Sequence, residues 1–173
     1  MTDDAPFSEL VRVDSIPPEG WRATIEAPPG ALAGIARRLG IPEVVRLRGT
    51  FELYPMAQGL RLSGLLDAAV VRECVASLEP VDEVIHEAFA ITFSGDADAG
   101  VVVELDPEAE EPEPLTGDTL DLADILIQQL SLAMVPYPRK PGAAAPHGDF
   151  GEAGPASPFG VLKSKIAGGG EQG

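Results

Sequence analysis

The sequence predicts an α+β fold, a mainly antiparallel, curved sheet of about six strands with two packed helices. Three observations point to it. Several segments between residues 7 and 103 alternate apolar and polar side chains with the period of a half-buried strand. Two segments, one opening at Pro28 and one at Asp121, repeat apolar residues at helical spacing. The turns between successive strands are short, and short connections pair strands antiparallel.

Phe7–Asp14 alternates well enough for a first strand. Ile16-Pro17-Pro18-Glu19-Gly20 is a turn, because two prolines and a glycine punctuate strongly. Trp21–Glu26 alternates again, with Trp21, Ala23 and Ile25 on one side. Strand, tight turn and strand in that order suggest a hairpin. Pro28-Pro29-Gly30 opens a helix with Leu32, Ile35, Ala36 and Leu39 on one stripe. Arg37 and Arg38 suit the negative end of its dipole, and Gly40 with Pro42 stops it.

Val44–Tyr54 is a long strand with Val45, Leu47, Gly49, Phe51 and Leu53 on one face. Leu60–Ala69 pairs with it across a short loop and places Leu60, Leu62, Gly64 and Leu66 inward. Val70 to Leu78 and Val84 to Phe93 form a further strand pair, interrupted at Glu79-Pro80. Gly95–Gly100 is a loop, Val101–Val103 a short strand, and Asp106–Pro114 an acidic, extended spacer. Asp121 caps the second helix, which runs to Met134 before Pro136. Leu132 and Ile127 widen its apolar face, so it should pack on two sides. Residues 1–138 therefore read as one α+β domain. Residues 139–173 read as a Pro/Gly/Ala-rich tail with an apolar and basic element, Pro158–Ile166, near its end.

Charge is segregated. Of 173 residues, 28 are acidic and 12 are Lys or Arg, a net of −16. Residues 73–138 hold 16 acids and no Lys or Arg, while the two flanks are nearly neutral. A stretch without cations is a poor surface for phosphates and a natural one for a basic partner. Glu108, Glu110, Glu111 and Glu113 are its candidate partner surface. Arg46, Arg48 and Arg61 form the candidate RNA contact, all on the outward face of the third and fourth strands. Pairing of those arginines with Glu52 and Asp67 is the alternative reading. No apolar run has the length of a membrane span, and the acidic start MTDDAPFSEL does not resemble a signal peptide. With one cysteine there is no intramolecular disulfide to form, and a cytoplasmic protein is the default.

The residues call for no catalytic set, cofactor or metal. His86 and His147 are the two histidines, and one histidine in the body does not make a triad. One cysteine with one histidine falls short of a structural zinc site. Asp96 and Asp98 lack the rest of a calcium loop. Cys74 reads as a small, buried strand residue instead of a nucleophile.

The segment GLLDAAVVRECVASLEPVDEVIHEAFAITF is followed by an acidic spacer, then by GDTLDLADILIQQLSLAMVPYP and a tail ending PFGVLKSKI. This order resembles the YceD family, the large ribosomal RNA subunit accumulation proteins. The resemblance rests most on Arg72-Glu73-Cys74, Leu78-Glu79-Pro80-Val81 and the helix from Asp121. Many relatives carry Cys-x-x-Cys where this chain has Val71 and Cys74, and further cysteines where it has Tyr137–Pro141. A metal or redox role is therefore not implied here. The resemblance implies a cytoplasmic, non-enzymatic factor for accumulation or processing of large-subunit ribosomal RNA. The acidic middle then suggests a basic ribosomal protein or assembly factor as partner, with ribosomal RNA contacted weakly or indirectly. Two rivals stand beside this: a general protein adaptor unrelated to ribosomes, and a thiol-dependent enzyme using Cys74.

Overall fold

A computed structural model describes residues 7–57, 59–94, 113–115 and 117–143. The elements run β1 (Leu10–Arg12), β2 (Trp21–Glu26), α1 (Pro29–Leu39), β3 (Glu43–Met56), β4 (Gly59–Glu73), β5 (Pro80–Ser94), β6 (Glu113–Pro114), β7 (Thr119–Asp121) and α2 (Leu122–Ala133). Five strands form one sheet in the order β2-β3-β4-β5-β6, antiparallel except for the short parallel pair β5–β6. The α+β class and the two helices are as expected. The expected strand Val101–Val103 lies outside the described residues.

The expected hairpin between the first two strands does not form. β1 pairs instead with β7, in a separate two-stranded sheet, while β2 pairs with β3. The expected first strand is also cut short: after Arg12 the chain turns through a 3₁₀ segment, Val13–Ser15. Beside the β1–β7 ladder, Asp121 ties down the residues that lead into β1. Its carboxylate accepts the Ser8 hydroxyl at 2.7 Å, the Glu9 N–H at 2.9 Å and the Ala123 N–H at 3.0 Å. Asp121 is thus both the N-cap of α2, as the sequence suggests, and a clasp on the N-terminal strand. Burial opposes its ionisation, but hydrogen bonds from Glu9, Ser8, Asp124 and Ala123 hold its carboxyl below the usual range. A depressed carboxyl stabilises the fold above its ordinary pKa, and this is lost as pH falls through the folded value. Asp121→Ala is expected to cost about 1–2 kcal/mol at neutral pH, with the difference from wild type shrinking toward strong acid. Denaturant midpoints across the acid range check this.

The core face of the sheet carries Leu47, Phe51, Leu53, Leu60, Leu62 and Leu66, all buried. Alternation fails at one point on β3. A β-bulge between Val44 and Arg46 shifts the register, so Val44 is buried and Val45 is 52% exposed. The extra residue of a bulge switches which neighbour points inward, and strict alternation therefore selects the wrong valine.

Helix α1 packs on β3 and buries Ala31, Ile35 and Ala36. Helix α2 lies over Gly49, where an added Cβ would stand 2.7 Å from a Leu126 methyl and 2.7 Å from the Phe51 ring. Glycine at that position lets the helix approach. Arg38 reaches Asp124 at 2.5 Å and ties the two helices together. On α2, Leu122, Ile125, Leu126, Ile127 and Leu130 are buried. The expectation that Leu132 also packs is not met, since it is 78% exposed.

Candidate functional site

Strand β5 is fifteen residues long, and β4 pairs with all of it. On its other side β6 covers Phe93 and Ser94 alone. Among the described residues, nothing pairs with that edge from Pro80 to Thr92.

Beside the edge, a groove of about 650 Å³ runs between β5, Glu113 of β6 and the C-terminal half of α2. Phe89 and Ile91 supply its apolar floor together with Leu66, and Gln129, Leu132 and Ala133 form the helix side. Phe89 is fixed from behind by an edge-on contact with Phe51, ring centroids 5.9 Å apart. Glu87 and Glu113 stand toward the two ends, and neither forms an ion pair among the described residues. Apart from Leu66, every lining residue belongs to the stretch 73–138 that lacks Lys and Arg. The cation-free third of the chain therefore builds this one face.

Of the candidate acidic residues, Glu113 is exposed in β6, while Glu108, Glu110 and Glu111 lie outside the described residues. Glu87 and Gln129 were not singled out from the sequence. Glu87 falls at an inward position of β5, opposite Leu66, and is nevertheless exposed, beside the groove.

The arginines lie on the opposite face of the sheet. Arg46, Arg48 and Arg61 are exposed there. Arg46 pairs with Asp67 at 2.5 Å, so the alternative reading of that residue holds. Glu52, the other expected partner, pairs with Arg22 at 3.0 Å. Arg48 stands opposite Asp67, whereas Arg61 stands opposite Tyr54, six residues away along β4. At ~3.3 Å per residue that is roughly 20 Å, so the three do not converge on one point. His86 sits on this face with its Nδ1 3.0 Å from Asp67.

Cys74 is not in a strand. It opens the turn between β4 and β5 and is fully buried. The segment after α2 folds back onto this turn. Val75 N–H donates to Pro138 at 3.0 Å, Lys140 N–H donates to Cys74 Sγ at 3.4 Å, and Lys140 Nζ reaches Glu79 at 3.2 Å. The Ser77 N–H also donates to Sγ at 3.4 Å. Hydrogen bonds from the Ser77 side chain first, then from the Lys140 amide, pull the thiol down from 9.0 to about 7 against the effect of burial. The sulfur is thus a buried acceptor in a closed turn rather than part of a strand as expected. An acid whose pKa is lowered by folding adds stability above its ordinary pKa and loses it as pH falls through the folded one. The stability advantage of wild type over Cys74→Ala is expected to grow from pH 7 to 9, the window these two values define. Denaturant melts across that window check it.

One further pair locks this region. Arg72 and Glu83 face each other at 3.2 Å, with side chains 14% and 13% exposed. Glu83 also accepts the Val135 N–H at 2.8 Å, and Arg72 donates to the Val135 carbonyl at 3.3 Å. The pair thus binds the segment just after α2 to the sheet.

A family model described as "Large ribosomal RNA subunit accumulation protein YceD" matches residues 62–164. The match takes in β4 from Leu62 onward, β5, the groove and α2, and reaches into the Pro158–Ile166 element. No curated protein and no solved structure matches the chain.

Proposed function

Because the chain belongs to the YceD family, we propose that it supports accumulation of large-subunit ribosomal RNA as a non-catalytic accessory factor. It acts by holding a basic ribosomal protein or assembly factor on its acidic side. The observation that carries this reading is the convergence of the cation-free stretch on the apolar groove between β5 and α2. Acidic rims favour capture of cationic chains and repel phosphates. Apolar floors give such an encounter its holding contacts. The arginine face is the weaker candidate for direct RNA binding, because Arg46 is spent on Asp67 and Arg61 is remote from Arg48. The reading implies a cytoplasmic protein. Among the described residues no helix is long and apolar enough to cross a membrane.

The test is sedimentation of cell extracts with the tagged protein followed across the gradient. Co-migration with large-subunit precursors, together with a fall in large-subunit ribosomal RNA on depletion, supports the reading. Absence from those fractions with unchanged RNA levels refutes it and favours an adaptor unrelated to ribosomes.

A further inference from the structure

We propose that the groove between α1 and the start of β3 is the docking site of the chain's own Pro158–Ile166 element. The proposal stands apart from the ribosomal reading. β2 pairs with β3 from Arg48 to Leu53, and the Ala27 N–H adds one bond to the Leu47 carbonyl at 2.9 Å. The residues that precede Leu47 on β3 face α1 instead, and a groove of about 490 Å³ is left between helix and strand. Leu32, Ile41, Val44 and Val45 line it, with Arg37 on the helix side and Glu43 on the strand side. The bulge helps to make this surface, because it turns Val45 outward and leaves it 52% exposed. Leu32 and Ile41 are half-buried, and no described residue closes the groove over them.

The described chain ends at the same end of the sheet. Pro138 and Lys140 are bonded to the turn that follows β4, and the Ala143 N–H donates to the Lys140 carbonyl at 3.0 Å. Glu43 stands opposite Val71, three residues before Cys74. At ~3.3 Å per strand residue and ~4.8 Å between strands, Glu43 lies roughly 10–15 Å from that turn. Fourteen residues, 144–157, lead from there to Pro158. A flexible chain of that length spans about 20 Å on average and roughly 45 Å at full extension. Such a tether gives an effective concentration of about a millimolar, so a docking contact with a Kd of ~1 mM is already half filled.

The chemistry of the element fits the groove. Ser157 suits an N-cap and Pro158 the first helical position. At helical spacing Phe159, Leu162 and Ile166 share one stripe, with Lys163 and Lys165 flanking it on either side. The stripe matches the apolar lining. Glu43 is joined by Asp82, across Val71 in the sheet, and by Glu73. All three acids are exposed, and none is ion-paired among the described residues. Lysines are drawn to that side, while Arg37 repels them from the helix side. The direction follows: Phe159 lies against α1 and the lysines lie toward Glu43. The groove between β5 and α2 is a poorer site for the element, because Phe89 is nine residues along β5 from Pro80, about 30 Å. That exceeds the average span of the tether. A second copy's element has no tether and meets the site only at its bulk concentration.

The experiment uses the isotope-labelled full chain carrying a nitroxide at Ala167→Cys, with single labelling confirmed by mass, since Cys74 is fully buried. The nitroxide is expected to broaden the amide signals of Ala33, Ile41 and Val45 and to leave those of Phe89 and Ile91 sharp. Phe159→Asp/Leu162→Asp in the element should restore the signals of Ala33 and Ile41. Val45→Asp, at an exposed position of the groove, should restore them independently. Lys163→Glu/Lys165→Glu should restore them in part, and adding Glu43→Lys/Asp82→Lys to that variant should broaden them again. Sharp groove signals in the labelled parent chain overturn the proposal, as does broadening at Phe89 and Ile91 in their place. Broadening that survives both apolar variants overturns it too. A mixture of spin-labelled chain without isotope and isotope-labelled chain without the nitroxide separates the copies: broadening in that mixture makes a second copy the occupant, and the proposal fails.

Discussion

Arg72→Ala is expected to destabilise the protein by about 3–5 kcal/mol. The reason is what it leaves behind. Glu83 is 13% exposed and its nearest cation is Arg72 at 3.2 Å, so truncation strands a carboxylate in a site with little water. Breaking a nearly buried pair from one side costs more than the pair itself contributes, because the remaining charge keeps its desolvation penalty. The Val135 N–H still holds one oxygen of Glu83, which favours the lower end of the range. The loss should also spread along the chain. With the Val135 carbonyl released, the segment that caps Cys74 and Val75 loses its anchor. Exchange of the Val75 and Lys140 amides should therefore accelerate more than that of the β3 amides. The double variant Arg72→Met/Glu83→Leu should recover much of the stability, since apolar residues of similar volume can replace such a pair. Equal loss in the single and double variants would show that packing, and not the charge pair, is what matters there.

Leu126→Ala is the second large effect, about 2–5 kcal/mol. Leu126 is fully buried in α2, and its methyls press against the space where Gly49 lacks a side chain. Removing it leaves a cavity between helix and sheet that a fourteen-residue strand cannot collapse to fill. The denaturant midpoint should fall with little change in slope. Gly49→Ala should cost about 1–3 kcal/mol from overpacking at the same contact. Because the two residues touch, the double variant should lose less than the sum of the singles. Additive losses would mean that α2 does not seat on Gly49 as described.

Much of this architecture is legible in the sequence because local rules decide it. Gly40 and Pro42 end α1, Asp121 starts α2, and the alternation through Leu60, Leu62 and Leu66 fixes the inward face of β4. The failures all lie where a distant part of the chain decides. β1 looks like half of a hairpin, but Asp121, more than a hundred residues away, recruits Ser8 and Glu9. Val45 alternates correctly and still points outward, because a bulge is set by pairing with β4 and not by its own side chain. Leu132 continues an apolar stripe past the edge of what it covers. Cys74 and Tyr137–Pro141 each draw attention in the sequence, yet their meeting is a tertiary fact. The candidate site is half legible. The charge segregation is plain from composition, but the face it builds depends on where α2 seats against β5, which no local pattern encodes.

The central claim is that the acidic face, and not the arginine face, serves large-subunit ribosomal RNA. It is tested most directly by replacing the native gene with two variants and measuring the ratio of large- to small-subunit ribosomal RNA. One carries Glu87→Gln/Glu113→Gln, the other Arg46→Gln/Arg48→Gln/Arg61→Gln, with protein levels matched. The account predicts a lowered ratio for the first and a normal ratio for the second. A normal ratio for the glutamate variant with a lowered one for the arginine variant would contradict it and assign the work to the outer strand face.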